Sequence, residues 1–554
     1  MVAAIGLSFL IVFVSRYWLM KTVPPAQPKA PVAQAVVPPV PAPEAKPAAP
    51  SPPPAAGEKR GTSELQSSVD SPLYKIVISS RGAAVKSWAL NRYRDEQNNF
   101  LDLVDSFAAK QYGNPFSIWV SDEAIRQELN NALFVPSESG ELHAPATLIY
   151  EYSTGRIAAR KEISFNAKDY VVEIKTDVWS DGKAIAHSVA WPGGFGDVHD
   201  LGQRGNQLDA YYRDPLKITR WTSGDIKAGT LSASGSFLFA GIEDRFFTAT
   251  FLPQEGPLRV AALRQDVAVA GQTKPRQSLG LTVSAGEGQQ NRLRVFVGPK
   301  DTDVLAAVEP HLAETVDYGW FAIVAKPLFV AMRWIHDHIV SNYGWAIILL
   351  TVFINFLLFP LKLKSLRSSM KMQRIQPQMR AIQDKYKQYK MNDPRKQEMQ
   401  REMMALYKEH GVNPIGGCLP MVIQMPFLYG FYKVLVVSIE MRHAPWIFWI
   451  HDLSEPEKLP IKLLPLAMTA TQFVLQKMSP SPSPDPAQQK MMMFMPIMFL
   501  LMFWNLSSGL VLYWLTGNIV GIAQQWFINQ TEMKEAYEKK KSAKAGKKQA
   551  VARK

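Results

Sequence analysis

The feature that most constrains this chain is a stretch of forty residues, 491–530, that contains no Lys, Arg, Asp or Glu. A helix that crosses the hydrocarbon core of a bilayer needs about 20 apolar residues. Forty residues at about 1.5 Å per residue are therefore long enough for two crossings. The segment NLSSG at residues 505–509 supplies a turn between them. The pattern predicts two consecutive spanning helices.

Other apolar stretches predict further crossings. Residues 343–361 contain no charged residue, residues 414–432 form a third candidate, and residues 463–476 form a short one between two lysines. An apolar segment at residues 2–14 is followed by interfacial aromatic residues and predicts an uncleaved N-terminal anchor. Together with the two crossings above, the prediction is a membrane bundle of six spanning helices.

Basic residues crowd the segments next to these spans. The formal net charge is +14, residues 362–411 hold 13 Lys or Arg against five Asp or Glu, and residues 532–554 hold nine against three. Segments rich in Lys and Arg beside spanning helices stay in the cytoplasm. The charge pattern therefore predicts that both termini and the segment 362–411 are cytoplasmic.

The first of these basic segments also carries apolar residues at helical spacing. Ile375 and Ile382 belong to a four-three repeat in its first arm, and Met399 and Met403 to a similar repeat in its second arm. Such spacing puts an apolar stripe on each of two helices. The pattern predicts an antiparallel helical hairpin over residues 364–410, apolar along its seam and charged outside.

The first half of the chain has a different pattern. Residues 70–300 alternate apolar and polar residues in short runs separated by turn signals, which predicts a large all-β sandwich. The 13 prolines in residues 24–54 predict an extended spacer before it. Residues 327–342 predict an amphipathic helix in the membrane interface. The sequence shows no metal-ligand set, catalytic triad or phosphate loop, so no metal, cofactor or enzymatic activity is expected.

Polar side chains inside the predicted spans are candidates for function, because polar groups in lipid are costly. They are Thr351, Asn355, Gln424, Trp514, Thr516 and Asn518. Each can form a hydrogen bond between two helices. Since they lie on three different spans, they can instead line a hydrated cavity. Flexible methionines also crowd the fifth span, where they either adapt to varied apolar partners or face lipid.

Several segments together resemble the YidC-type membrane protein insertases, the YidC/Oxa/Alb family. They are MMALYKEHGVNPIGGCLPMVIQMPFLYGFYKVL (403–435), APWIFWIHDLS (444–454), DPAQQKMM (485–492), SSGLVLYWLTGN (507–518), SSRGAAVKSWAL (79–90), EDRFF (243–247) and VFVGPKD (295–301). The resemblance implies the long Gram-negative form, with a periplasmic β-supersandwich and five core helices around a groove open to the cytoplasm and lipid. It implies a chaperone and insertase of inner-membrane proteins that is not an enzyme.

One position departs from the family pattern. The family carries an arginine on the second span, five residues before a proline, and here Asn355 stands five residues before Pro360. An asparagine offers hydrogen bonds without a charge. The groove is therefore expected to be hydrated and nearly neutral, unless Arg333, Lys362 or Lys433 reaches into it.

The mechanism expected from this reading has three steps. The hairpin and basic tail receive a nascent membrane protein and can contact ribosomal RNA. A polar segment of the substrate then enters the groove, where hydrogen bonds lower its burial penalty. Its apolar segment moves into lipid along the third and fifth spans, past Phe427, Phe431, Met498 and Met502. The expected partners are nascent membrane proteins, the ribosome, the Sec translocon and the lipid bilayer, and no small-molecule substrate.

The predicted organisation is an N-terminal transmembrane anchor, a Pro/Ala-rich periplasmic linker, the β domain, connecting and interfacial helices, a five-helix core and a basic tail. Their ranges, in that order, are residues 1–21, 22–63, 64–310, 311–342, 343–530 and 531–554. Two other functions stay open on the residues alone. A small-solute transporter would need charged residues at midspan. A membrane-tethered periplasmic protein that binds or modifies carbohydrate would need paired carboxylates in the β domain.

Overall fold

A computed structural model gives the structure of residues 57–197, 208–226, 229–268, 275–389, 393–412, 419–479 and 486–552. The predicted anchor, nearly all of the proline-rich spacer and Cys418 lie outside the described residues. The chain divides into two compact units. Of the described residues, the β-rich unit comprises those within 57–344 and 426–455, and the helical unit those within 345–425 and 456–552.

The described part of the β-rich unit contains three sheets. One has the strand order β4-β3-β2-β1-β7, the largest has the order β14-β13-β16-β17-β20-β10-β9-β8-β6 with β11 beside β10, and the third has the order β15-β18-β19-β12-β5. The strands are β1 Gln66–Asp70, β2 Tyr74–Ser79, β3 Ala84–Arg94, β4 Phe100–Asp102, β5 Ser117–Trp119, β6 Val135–Pro136, β7 Gly140–His143, β8 Ala146–Ser153, β9 Ile157–Phe165, β10 Val171–Ser180, β11 Lys183–Ala184, β12 Ser188–Trp191, β13 Asp209–Arg213, β14 Ile218–Trp221, β15 Thr230–Gly235, β16 Phe239–Glu243, β17 Phe247–Pro253, β18 Leu258–Val267, β19 Arg276–Ala285 and β20 Gln290–Pro299.

The period-two pattern of the sequence explains these strands. Along β9 every second residue is buried from Ile157 to Phe165, as a pleated strand with one face on the core requires. In β10, Val172, Ile174 and Val178 are fully buried, and the second face is also covered near the C-terminal end of the strand. Aromatic rings fill the core, including Trp88, whose ring centroid lies 6.2 Å from that of Trp191. The predicted all-β part is confirmed.

Two helices of the β-rich unit lie among the early strands and two lie after the last strand. They are α1 Ser106–Tyr112, α2 Glu123–Asn131, α3 Thr302–Val308 and α4 Ala322–His338. The predicted interfacial helix falls on α4, but Leu328, Met332 and Ile335 of its predicted apolar face are buried within the protein. Trp334 is among the apolar residues that α4 exposes instead. The sequence pattern could not separate these two apolar faces of one helix.

The helical unit follows, and its helix α9 continues into the β-rich unit at Pro426. The helices are α5 Tyr343–Leu357, α6 Phe359–Arg374, α7 Gln376–Lys385, α8 Arg395–Glu409, α9 Leu419–Val437, α10 Leu463–Met478, α11 Pro486–Phe503 and α12 Ser508–Ala552. The break between α11 and α12 falls at the predicted NLSSG turn. Helix α12 continues through most of the predicted basic tail.

No single described helix is both long enough and apolar enough to cross a membrane. Helices α5 and α6 together have the length and the apolar composition of a crossing, and they are bent by 57° where they meet. The bend falls at Leu358, just before Pro360, where proline removes a backbone donor. The six predicted spans stay a prediction.

The segment 364–410 forms paired helices with an apolar seam. Met372, Ile375, Met379, Leu406 and Val412 form its buried cluster. Ile382 and Met403 pack against this cluster and are partly buried, whereas Met399 is half-buried farther along α8. Tyr386 donates a hydrogen bond of 3.0 Å to Glu402 across the two arms. The first arm is bent, because α6 ends at Arg374 and α7 begins after Ile375, with a proline in its first turn.

Candidate functional site

Two of the predicted polar residues lie on α5, and both are buried. The Thr351 hydroxyl donates to the Ile347 carbonyl at 2.6 Å, and the Asn355 amide donates to the Thr351 carbonyl at 2.8 Å. These bonds to the preceding turn satisfy donors that would otherwise be costly to bury. One proton of the Asn355 amide is therefore committed to its own helix.

The Asn355 side-chain oxygen is held by a lysine. Lys362, in the first turn of α6, donates from Nζ to Asn355 Oδ1 at 2.6 Å. The bend between α5 and α6 brings these residues together although they are seven positions apart. Lys362 is partly buried, and no carboxylate among the described residues lies within 4.0 Å of its ammonium group. The groove was expected to be nearly neutral unless Arg333, Lys362 or Lys433 reached into it, and Lys362 contacts Asn355.

Helix α12 supplies a second contact to the same position. Gln524 donates from Nε2 to the Asn355 backbone carbonyl at 3.1 Å. Carbonyls in the last turn of a helix need partners from elsewhere, because the helix ends before it can supply them. Gln524 thereby connects α12 to the end of α5.

Farther along the same face of α12, Tyr513 meets the third predicted span. The Gln424 side chain of α9 lies near the Tyr513 hydroxyl, with which it interacts. Tyr513 and Gln524 are eleven residues apart, which is three helical turns or about 16 Å on one face. Thr516, one turn after Tyr513, is buried. The face that joins α5, α9 and α12 therefore carries Thr351, Asn355, Lys362, Gln424, Tyr513 and Gln524.

The other two predicted residues lie on a different face of α12. Asn518 donates to the Met468 carbonyl at 3.1 Å, and Trp514 donates to Gln472 at 3.3 Å. Both acceptors belong to α10, and Gly521 on the same face allows the Leu475 side chain of α10 to approach closely. Trp514 and Asn518 connect two helices directly, which is the interhelical arrangement that the sequence left open.

The four predicted sliding residues differ in exposure. Met498 and Met502 on α11 are 60% and 51% exposed, so both can contact an apolar substrate segment. Phe431 is fully buried and Phe427 is half-buried. Helix α4 packs on this part of α9, since a side chain at Gly430 would meet Leu328 at 3.2 Å. Phe431 is therefore not an exposed contact surface, because α4 covers it, which the apolar pattern of α9 did not predict.

Ionisable groups in the β-rich unit decide whether it offers an enzymatic site. Asp209 and Glu243 are cross-strand neighbours, and they are the kind of carboxylate pair that a carbohydrate enzyme would need. Glu243 lies 2.7 Å from the Arg220 guanidinium and 2.9 Å from the Lys300 ammonium. Burial, and then the charge of Glu243, raises the pKa of Asp209 to about 6. This arrangement is a buried ion network, in which two cations already neutralise one member of the pair.

No group of three or more His, Cys, Asp or Glu residues in the described part of the chain is arranged to hold a metal ion.

Comparisons with known proteins give consistent results for both units. The family model described as "60Kd inner membrane protein" matches residues 334–536, and the model described as "YidC periplasmic domain" matches residues 66–331. A membrane protein insertase YidC of Geobacter sulfurreducens is 34% identical over 83% of this chain and 86% of its own length. The insertase YidC of Syntrophus aciditrophicus is 31% identical over 95% of this chain and 98% of its own length.

One solved structure, described as an active YidC insertase with its first transmembrane domain resolved, aligns with 84% of this chain and 93% of its own chain. The sequence identity is 19% and the TM-score is 0.36, so this alignment alone establishes no shared arrangement of the units.

Proposed function

This chain belongs to the YidC family of membrane protein insertases, and from that premise we propose that it inserts substrates through the polar face shared by α5, α9 and α12. Membrane protein insertion is the function, and it is not enzymatic. The family acts in the inner membrane and carries a periplasmic domain. The observation that carries the proposal is the Lys362 ammonium on Asn355, a cation without an acidic partner among the described residues.

The charge pattern supports a topology of six spans with both termini in the cytoplasm. The β-rich unit then lies in the periplasm, and the hairpin 364–410 and residues 531–554 lie in the cytoplasm. The anchor, linker, β domain, interfacial helices, five-helix core and tail are the units of this topology, with the boundaries predicted above.

The hairpin acts first, as the receiver of the nascent chain. Its outer surface is basic and its seam is apolar, so it attracts an anionic ribosome surface and presents adaptable methionines beside it. Ribosome contact and cooperation with the Sec translocon are parts of this proposal. The Met403 and Ile382 side chains are only partly buried in the seam and can contact an apolar substrate segment.

The polar face acts second. A polar or acidic substrate segment loses its hydration as it leaves water, and this loss is costly unless protein groups replace the water. Lys362 provides a charge for carboxylates, while Gln424, Thr351 and Gln524 provide hydrogen-bonding groups along the same path. A cation that already carries its desolvation cost gains more from an anion than a fully hydrated one does.

The apolar segment leaves last. Met498 and Met502 on α11 expose flexible thioether side chains, which can follow varied apolar segments toward lipid. Helix α10 is only 16 residues long, so the bilayer beside it is expected to be thin. A thin bilayer shortens the hydrophobic distance that a substrate must cross.

The test uses the full chain in proteoliposomes and two single-span substrates that differ only in an acidic or a neutral translocated segment. Lys362→Met should lower insertion of the acidic substrate by about tenfold, the effect of about 1.4 kcal/mol. It should change insertion of the neutral substrate by less than about threefold. Lys458→Met, at an exposed lysine of the same unit, is the control. Equal insertion of both substrates by Lys362→Met would rule out the cation's role.

A further inference from the structure

Three consecutive charged residues, 243–245, lie at the turn between β16 and β17, and each contacts a different part of the protein. Glu243 accepts from Arg220 of β14 at 2.7 Å and lies 2.9 Å from Lys300, which follows β20. Asp244 is buried and accepts from the backbone N–H groups of Phe246 and Phe247, which fixes the turn itself. Burial raises the pKa of Asp244 to about 6. The third residue, Arg245, points away from the sheet.

Arg245 binds the segment that follows α9. Its guanidinium donates to the Val436 carbonyl at 2.6 Å, to Glu455 at 2.9 Å and to the Ser454 carbonyl at 3.1 Å. The side chains of Arg245 and Glu455 are 7% and 14% exposed. Val436 lies in the last turn of α9, where a cation is favoured by the helix dipole.

In a second ion pair the arginine comes from the segment after α9 and the carboxylate from the strand-rich part of the unit. Arg442, from the segment after α9, donates to Asp197 at 2.7 Å and to the Arg94 carbonyl at 2.8 Å. Both charged side chains are buried. The Asp197 backbone N–H donates to Asp244 at 2.9 Å, so the same turn connects the two ion pairs.

The segment between these arginine contacts has little regular structure of its own. It contains the short 3-10 helix Ile439–Met441, and the structure describes no longer helix or strand in residues 438–455. His443 and Phe448 adopt positive φ angles of 55° and 49°, which non-glycine residues keep only when their surroundings hold them. Backbone hydrogen bonds such as Leu453 N–H to the Ala444 carbonyl hold part of this segment, and the arginine contacts hold its two ends.

We infer that Arg245 and Arg442 form a crossed clamp that fixes the C-terminal end of α9 to the β-rich unit, and that both are positioning residues for insertion. The inference rests on the proposed function, because α9 also carries Gln424. Buried ion pairs contribute little net stability but strongly disfavour any arrangement that leaves one charge unpaired. The clamp is therefore expected to add little to the free energy of unfolding. Its main effect is to disfavour other positions of the C-terminal end of α9.

The test measures two properties of the full chain: amide exchange in residues 438–455 and insertion in proteoliposomes. Arg442→Asp and Asp197→Arg should each speed amide exchange in that segment by at least about tenfold and lower insertion by about fivefold. The double variant restores opposite charges, although not the bond to the Arg94 carbonyl. It should regain at least about half of the lost insertion.

The control is Lys75→Glu, which breaks an exposed ion pair with Glu141 in the same unit and should change neither property. Unchanged amide exchange in the single variants would overturn the clamp. Faster exchange with wild-type insertion, or a double variant no better than the single ones, would overturn the positioning role. Crosslinking from Gln424 to substrate in the unmodified chain separates these results from a failure of the proposed groove.

Discussion

At the scale of single residues, the contact between Asn355 and Lys362 decides the chemistry of the candidate groove. The oxygen of Asn355 orients the ammonium group without cancelling its charge, because an amide is neutral. A carboxylate at the same place would keep the geometry and remove the net charge. The pair therefore allows charge and position to be tested separately.

Asn355→Asp replaces the amide by an isosteric carboxylate and should form an ion pair with Lys362. We expect insertion of substrates with acidic segments to fall by about tenfold, since a neutralised cation no longer attracts them. The variant keeps an acceptor for Lys362 but loses the donor to the Thr351 carbonyl, so its abundance and thermal unfolding are compared with those of the wild type. The measurement is the insertion rate at equal protein abundance. Full activity with acidic substrates would show that the Lys362 charge is not used.

Asn355→Leu tests position instead of charge. It removes the acceptor for Lys362 and leaves the ammonium partly buried without a partner, so substrates with polar segments should insert more slowly by several-fold. Crosslinking between α5 and α12 serves as the control for helix packing. Wild-type insertion by this variant would exclude Asn355 from the groove.

His187 gives the β-rich unit a pH dependence. Its Nδ1–H donates to the Ile185 carbonyl at 3.1 Å, so Nε2 accepts from the Thr176 hydroxyl at 2.8 Å and the ring is neutral. Burial lowers its pKa to about 4. Between pH 6.5 and 4 the unfolded chain therefore binds more protons, and stability falls as pH falls, by roughly 3 kcal/mol at about 1.4 kcal/mol per pKa unit.

The measurement is thermal unfolding of the full chain in detergent from pH 7.5 to 4. His187→Gln should flatten the decline in the unfolding temperature of the β-rich unit. Other buried carboxylates titrate in this range. The contribution of His187 is therefore the difference between the wild type and His187→Gln in how far the unfolding temperature falls with pH. Parallel curves for the two proteins would contradict a neutral, buried His187.

At the scale of helices and strands, the hairpin can be separated from the groove. Ile382→Asp together with Met403→Asp puts two carboxylates against the buried cluster and should unpair the two arms. Insertion should be lost while α10 and α12 stay folded. Met404→Asp, at a side chain that is 52% exposed on the same helix, is the matched control for pairing. Insertion by the double variant would show that the hairpin is not the receiver.

The elements that the sequence predicted are those that depend on local patterns. The alternation in β9, the apolar repeat of the hairpin and the turn between α11 and α12 follow from spacing alone. The Lys362 contact crosses the break between α5 and α6, and the Arg245 contact joins the turn between β16 and β17 to Val436, 191 positions away. No local spacing encodes the second contact. The 57° bend between α5 and α6 was not predicted from the sequence, although Pro360 lies beside it.

The two apolar faces of α4 show the same limit. Its periodicity predicted one membrane-facing stripe, yet Leu328 and Met332 pack inside the β-rich unit and Trp334 is exposed. Burial in lipid and burial in protein both select apolar residues, so composition cannot distinguish them.

At the scale of the whole molecule, the clamp predicts that a large deletion in the β-rich unit impairs insertion less than a single charge reversal does. Deleting residues 80–289 removes Asp197 and Arg245 together, so neither Arg442 nor Glu455 keeps a partner from the deleted strands, and both become hydrated. A single reversal such as Arg442→Asp leaves unpaired charges in a buried site. The deletion, at matched abundance in proteoliposomes, should therefore retain more insertion than the point variant. The reverse order would mean that the β-rich unit contributes directly to insertion.

The most direct test of the central claim is site-specific photocrosslinking to a stalled nascent membrane protein with a polar segment ahead of its first span. A photoreactive residue at Gln424 or Thr351 should crosslink to the polar segment, and one at Met498 to the apolar span. The comparison position is Phe353, which is exposed on α5. Crosslinks to the polar segment from Gln424 and Thr351 but not from Phe353 are the expected result. Crosslinks of equal yield from Phe353, or none from Gln424, would contradict insertion through the face shared by α5, α9 and α12.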